Sequence, residues 1–298
     1  MTLPLAIFFC VITMLGWGSW ANTQKLAGKE KWPFELFYWD YAIGVFLFSL
    51  LFSILGGGFN IVGAFAITAM ISGAIFNLAN ILLVVSIDAA GMSVAFPVGI
   101  GLALVIGTLE SYIETPKGNP SLLFAGVALV VFAMIMSAAA RQSVGKNRVR
   151  GLIFSIVAGC IMGLFYPQLM RAIGPDKLTP YVALVFFAAG VLLSNIVVNT
   201  VFMKTGGVSY ADYFRGGAKL HFIGILGGSI WMLALCLNVI ASGVAGPAIS
   251  YALGQGATLI AALWGVLVWR EKGVLSYTVL MFIGYATGLI LIGAATLK

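Results

Sequence analysis

The chain has 298 residues, 61% of them hydrophobic and 8% charged, with a net charge of +7. Ordinary soluble domains are roughly 45 to 50% apolar and about 25% charged. A mean hydropathy of +1.09 over the whole length therefore excludes a water-soluble fold, whose surface needs polar cover, and describes an exterior facing hydrocarbon.

An α-helix crosses a bilayer in about 20 apolar residues, and turn signals divide the chain into ten such stretches. They run from Leu3 to Trp20, Leu36 to Leu55, Ile61 to Val85, Met92 to Leu109, Leu122 to Ala140, Leu152 to Met170, Tyr181 to Phe202, Leu220 to Ile240, Gly246 to Val268 and Val274 to Leu297. No Lys or Arg precedes the first, which predicts a retained span and not a cleaved signal peptide. The joins at Gly56 to Asn60 and Ser86 to Gly91 are short enough to require antiparallel hairpins. The predicted fold class is an all-α polytopic membrane protein of about ten transmembrane helices. It forms one membrane domain over residues 1–298, with pseudo-repeats 1–140 and 150–298 and a cytoplasmic connector at 141–149. The 37 glycines and 13% aromatic content agree, because small residues let helices approach closely and Trp and Tyr settle at the headgroups. Cys10, Cys160 and Cys236 lie in apolar runs without CxxC spacing, so neither a disulfide framework nor a metal site is expected.

Basic residues in short loops mark the cytoplasmic side. Of 16 Lys and Arg residues, 12 fall in one set of loops: Lys25, Lys29 and Lys31; Arg141, Lys146, Arg148 and Arg150; Lys204, Arg215 and Lys219; Arg270 and Lys272. The other set holds Lys117, Arg171, Lys177 and Lys298. Both termini are thus predicted outside the cytoplasm, in the cell (inner) membrane. The net charge reads as an orientation signal and implies no nucleic-acid partner. The expected partners are the lipid bilayer and a small-molecule substrate, bound by a monomer or homodimer.

Slid against itself at one fixed offset, the chain matches spans three and four to spans eight and nine. Gly73, Ile75, Phe76, Leu78, Ala79, Leu82 and Val84 fall on Gly228, Ile230, Trp231, Leu233, Ala234, Leu237 and Val239. Gly91, Phe96, Gly99, Gly101 and Leu104 fall on Gly246, Tyr251, Gly254, Gly256 and Leu259. At another offset Gly16 falls on Gly163, which relates span one to span six. Each half holds five spans, an odd number, so the second half enters the membrane from the opposite side. The loop charges agree: three lysines follow span one, whereas Arg171 and Lys177 follow span six on the other side. Inverted repeats are the architecture of alternating access, because halves that can exchange conformations give two facing states. The organisation predicts a transporter.

Ten short-looped spans in about 300 residues resemble the drug/metabolite transporter superfamily over the whole chain. Within it, MLGWGSWANTQKL at Met14 to Leu26 and FYWDYAIG at Phe37 to Gly44 are similar to the start of the glucose/rhamnose porter and ureide permease branch. That resemblance implies an importer of sugars or purine-derived ureides, usually proton-coupled, with external termini. No cofactor is implied beyond a proton as coupling ion.

A polar side chain at membrane depth needs a partner or a wet cavity. Asn77 and Asn80 lie three apart on one helix face and Asn195 and Asn199 four apart on another; Tyr251, Gln255 and Thr258 form a third stripe. Trp17, Trp20, Tyr166 and Trp231 offer ring faces, with Gln168 one turn beyond Leu164. These residues describe a neutral hydrogen-bonding cavity with stacking walls, and Gln255, Asn77, Asn199 and Trp17 are expected to line it near the midplane. Each also has a structural reading: a membrane Asn or Gln is often interhelical glue, and Trp20 fits an interface anchor. Pro97 and Pro167 read as packing or hinge elements. Asp40, about one turn into span two among Tyr38, Trp39 and Tyr41, is the proton-coupling candidate, its alternative being a helix-end carboxylate. Asp88 and Glu110 read as span-end acids; Glu30, Glu35, Glu114, Asp176, Asp212 and Glu271 as loop or boundary residues; and His221, beside Lys219, as a solvated helix start.

An intramembrane enzyme would need clustered His, Asp or Glu ligands or a nucleophile motif, and one histidine without HExxH or GxSxG supplies neither. A scaffold or receptor gives no reason for an inverted repeat. The competing transport reading is export of amino acids, metabolites or drugs. An exporter of bulky organic cations calls for a mid-span carboxylate, which the sequence lacks.

Overall fold

A computed structural model describes residues 1–28, 31–56, 63–90, 92–140, 147–270 and 274–297. Residues 141–146 of the connector, with Lys29, Glu30, Gly91, Glu271, Lys272 and Lys298, lie outside the described residues, as do the join after Gly56 and the side chains of Asp88, Phe96 and Arg148.

Among the described residues the chain is all-helical, and ten helices are long and apolar enough to cross a membrane. The protein is a multi-pass membrane protein. Span one is α1 (Leu3–Ser19) continued by α2 (Ala21–Ala27); spans two to five are α3 (Phe34–Gly56), α4 (Gly63–Ala90), α5 (Met92–Glu114) and α6 (Pro120–Ala139). Spans six and seven are α7 (Arg148–Arg171) and α8 (Pro180–Gly206), followed by the short α9 (Tyr210–Phe214); span eight is α10 (Ala218–Ala245). Span nine is built from α11 (Pro247–Gly254), α12 (Ala257–Leu263) and a π-helical turn at Trp264–Val268, and span ten is α13 (Leu275–Ala294).

Local chemistry fixes the ends. Asn119 and Thr179 cap α6 and α8 through their side chains, each followed by a proline at the first helical position, where a missing N–H costs nothing. Ser209 and Asp212 form a reciprocal capping box around α9, and those bonds hold the Asp212 carboxyl below its usual range. Several helices outrun the sequence expectation. Trp20 keeps helical dihedrals, so span one extends to Ala27. Span three extends to Ala90, and the Ser86 hydroxyl near its end donates to the Gly151 carbonyl.

The packing repeats itself between the halves. α4 lies against α7 and α8, as α10 lies against α1 and α3; α5 lies against α7, as α11 and α12 lie against α1; α6 and α13 pair with each other. Glycines sit at the tightest crossings. A Cβ on Gly73 would collide with the Phe187 carbonyl and one on Gly228 with the Tyr41 carbonyl; likewise Gly190 meets Met70, and Gly44 meets Ile225. These are matching places in the two halves. Gly163 touches Ala103 and Ile106 of span four much as Gly18, rather than Gly16, touches Ala257 and Ile260 of span nine. Backbone cannot yield as a flexible side chain can, so Gly228→Ala is expected to cost about 1–3 kcal/mol. A lower unfolding midpoint in detergent would show it, whereas Gly243→Ala, with nothing within 4 Å of the added carbon, should not lower it.

Candidate functional site

Ten crossings return both termini to one membrane face, here termed the terminal face. A cavity of about 160 Å³ opens away from it, between span one and the start of span two on one side and spans three, four, six, eight and nine on the other. Its inner end is aromatic. Trp17 and Trp231 stack at 5.9 Å with 21° between their planes, and the Trp17 indole N–H donates to the Trp231 carbonyl at 3.3 Å. Phe76 lies 4.3 Å from Trp231 and 5.3 Å from Phe165. Toward the mouth the lining passes to Trp20, Ala21, Gln24, Phe34, Ile87 and Ala261.

Span nine supplies the cavity's polar turn because it is broken there. α11 stops at Gly254 and α12 starts at Ala257, the gap being bridged by three-residue bonds from Gly256 N–H to Leu253 O and from Thr258 N–H to Gln255 O. Gly254 has no room for a side chain, since its Cβ would press on the Trp17 ring and the Asn238 amide. Breaking the helix here turns Gln255 into the cavity, with the Thr258 hydroxyl donating back to its carbonyl at 3.0 Å. Discontinuous helices of this kind line midplane sites in many transporters. Opposite, the Asn80 amide donates to the Tyr38 hydroxyl at 3.2 Å and borders the same space.

Trp17, Trp20, Asn80, Trp231 and Gln255 are thus brought together, and among the described residues none that lines the cavity carries a charge. Asn77, Asn195, Asn199, Tyr166, Gln168 and Tyr251 do not line this cavity. The Asn77 amide donates to Ser194 at 3.0 Å and the Asn199 amide to the Glu35 carbonyl at 2.9 Å, so both serve seams with α8. Asn195 is wholly buried in α8. Gln168 accepts from Arg171 at 2.9 Å, and Arg171 also pairs with Glu114 and, at 3.7 Å, with Glu110 at the terminal-face ends of α5 and α7. Tyr166 and Tyr251 pack on each other beyond the aromatic end, 4.8 Å apart. Gln24, Phe34, Phe76 and Phe165 line the cavity without having been singled out from sequence. A signal for Gln24 existed: it lies four residues after Trp20, on one face of a helix that simply continues.

Asp40 lies elsewhere, 1% exposed between α3, α9 and α10. Its carboxylate accepts from the Trp32 indole at 2.9 Å and the Tyr213 hydroxyl at 2.7 Å, and faces His221 Nδ1 at 2.8 Å. Burial, and then the neighbouring Asp40, push the Tyr213 hydroxyl well above its usual range. His221 is therefore not the solvated helix start the sequence indicated; its side chain is 24% exposed, because α9 folds Tyr213 over it at 4.8 Å. Cys10 and Cys236 are buried and Cys160 is exposed. No group of His, Cys, Asp or Glu among the described residues could hold a metal ion.

A family model described as "Sugar transport protein" matches residues 8–298. No curated protein matches the chain. A solved structure described only as the crystal structure of a protein is similar over 96% of this chain and 95% of its own, with a TM-score of 0.67 and 14% identity. That likeness shows the fold alone.

Proposed function

Because the chain belongs to the sugar transport protein family, we propose that it is a secondary transporter importing a small neutral polar solute, a sugar or a purine-derived ureide, by alternating access and proton symport. The observation that carries this reading is the uncharged cavity, with indole and phenyl walls and the amides of Gln255, Asn80 and Gln24 at its surface. Ring faces bind the apolar side of a sugar or ureide, and amides both donate and accept toward its hydroxyl or ureido groups. A fixed ionic ligand would find no counter-charge among the described lining residues. The volume also lies below the ~300–1,000 Å³ of sites for drug-sized ligands. The import direction and the proton rest on the resemblance to the glucose/rhamnose porter and ureide permease branch of the drug/metabolite transporter superfamily.

Two facing states follow if the five-span halves are inverted repeats, a reading that the exchanged helix pairs and their matched glycines support. Purified protein should be stabilised against heat by members of a panel of neutral monosaccharides and ureides such as D-glucose, L-rhamnose and allantoin, and should carry the same compounds into proteoliposomes. Uptake of an organic cation or an amino acid, with no response to any sugar or ureide, would overturn the assignment.

Both termini are placed outside the cytoplasm of the cell membrane, on the distribution of basic residues. A reporter fused after Lys298 should be active only in the extracytoplasmic space. A cytoplasmic signal would reverse the orientation and with it the side to which the cavity opens.

A further inference from the structure

Between the aromatic end of the cavity and the terminal face lies one further layer. Tyr166 of α7 and Tyr251 of α11 are wholly buried, 4.8 Å apart with 31° between their planes. Phe165, which lines the cavity, touches Tyr251 from within at 6.1 Å. The Tyr251 hydroxyl donates to the Ala103 carbonyl at 3.3 Å, and its ring fills the space where Gly107 would carry a side chain. The Tyr166 hydroxyl is buried beside Ser242, whose own hydroxyl donates to the Val239 carbonyl at 2.7 Å, so closure holds a polar group that water would bond more fully once the rings part.

We propose that Tyr166 and Tyr251 form the seal on the terminal side of the cavity, and that span nine releases it by bending at Gly254 to Gly256. Tyr251 stands one turn before the break, its carbonyl still accepting from the Gln255 N–H at 3.0 Å; beyond it three-residue bonds at Gly256 and Thr258 replace the regular ladder, so α11 can swing with fewer hydrogen bonds to surrender than a continuous helix would hold. Gln255 occupies the same break and faces the cavity, so an occupant and the seal act on one turn of helix. Tyr166 has no tyrosine at its matching place. The contacts that pair Gly18 with Gly163 put Ala21 at the place of Tyr166, and Ala21 lines the open mouth.

This inference rests on the alternating-access reading, and Cys10 reports on it directly. Cys10 is wholly buried beside Tyr166 and Ser250, and in a Cys160→Ser, Cys236→Ser background it is the sole thiol of the chain's three. Tyr251→Phe keeps the ring and removes the hydroxyl that bonds the Ala103 carbonyl and lies beside the Gln255 amide. It should speed maleimide labelling of Cys10 in purified protein by about three- to tenfold, the worth of one hydrogen bond, and Tyr166→Ala should speed it further. Labelling at the parental rate in both variants, each monodisperse, would overturn the seal. Should Tyr251→Phe accelerate labelling while the parent transports no sugar or ureide, the substrate reading falls and the seal stands.

Discussion

Gln255→Leu is expected to weaken binding of the transported sugar or ureide by about 10- to 100-fold. Leucine conserves most of the volume and the apolar contact, so the change isolates the amide. A solute hydroxyl that had bonded to Gln255 would remain dehydrated with no partner, which costs about 1–3 kcal/mol, and every 1.4 kcal/mol is tenfold in affinity. Asn77→Leu provides the contrast. Asn77 is buried, bonded to Ser194 across the seam between α4 and α8, and absent from the cavity wall. Its loss should lower the unfolding midpoint and leave affinity close to that of the parent. Calorimetric titration of the two purified variants with the solute that stabilises the parent separates the roles. Equal loss of affinity in both, or none in Gln255→Leu, would remove Gln255 from the site.

The contrast between those two residues shows where the sequence stops being informative. Apolar run length is a property of single segments, and it locates all ten spans, because hydrocarbon imposes the same requirement on each helix separately. Which face of a helix meets a cavity depends on its neighbours. Asn77 and Asn80 lie within one turn of each other, yet one is claimed by α8 and the other by Tyr38 at the cavity edge. The matched pairs Gly99 with Gly101 and Gly254 with Gly256 make the same point. α5 runs unbroken through the first pair, while span nine breaks at the second, where Trp17 presses on Gly254 and the Met14 sulfur occupies the space beside Gly256. Nothing in either pair of glycines says which partner will arrive. His221 departs from its sequence expectation for a related reason. A histidine beside a lysine at a helix start looks solvated, and only the fold of α9 brings Tyr213 over it and Asp40 against it.

Asp40→Asn is expected to abolish accumulation of solute driven by a pH gradient while leaving counterflow exchange intact. Proton symport needs a group that binds a proton in one facing state and releases it in the other, so its surroundings must change between the two. Asp40 is a carboxylate within a span, buried from solvent, and its neighbour His221 is partly exposed near a hollow lined by Lys31, Trp32, Arg215 and Gly216. Among the described residues, the titratable or charged groups near this pair are Tyr213, Asp212 and Arg215 from α9 and its cap and Lys31 from the loop before α3, with Lys219 two residues before His221 in α10. If Asp40 carries the proton, His221 and this hollow offer it a way to water apart from the solute cavity. The substitution also carries a structural cost. The carboxylate faces three donor groups, Trp32, Tyr213 and His221, and an amide must turn its own N–H₂ toward at least one of them. Counterflow is the control for that cost, since a misfolded variant loses exchange as well as accumulation. His221→Gln, which keeps a hydrogen-bonding side chain and removes the titratable ring, should lose accumulation in the same way if the pair carries the proton together. Should Asp40→Asn accumulate solute against its gradient as well as the parent does, Asp40 serves to tie α3 to α9 and α10, and the coupling ion binds at another site.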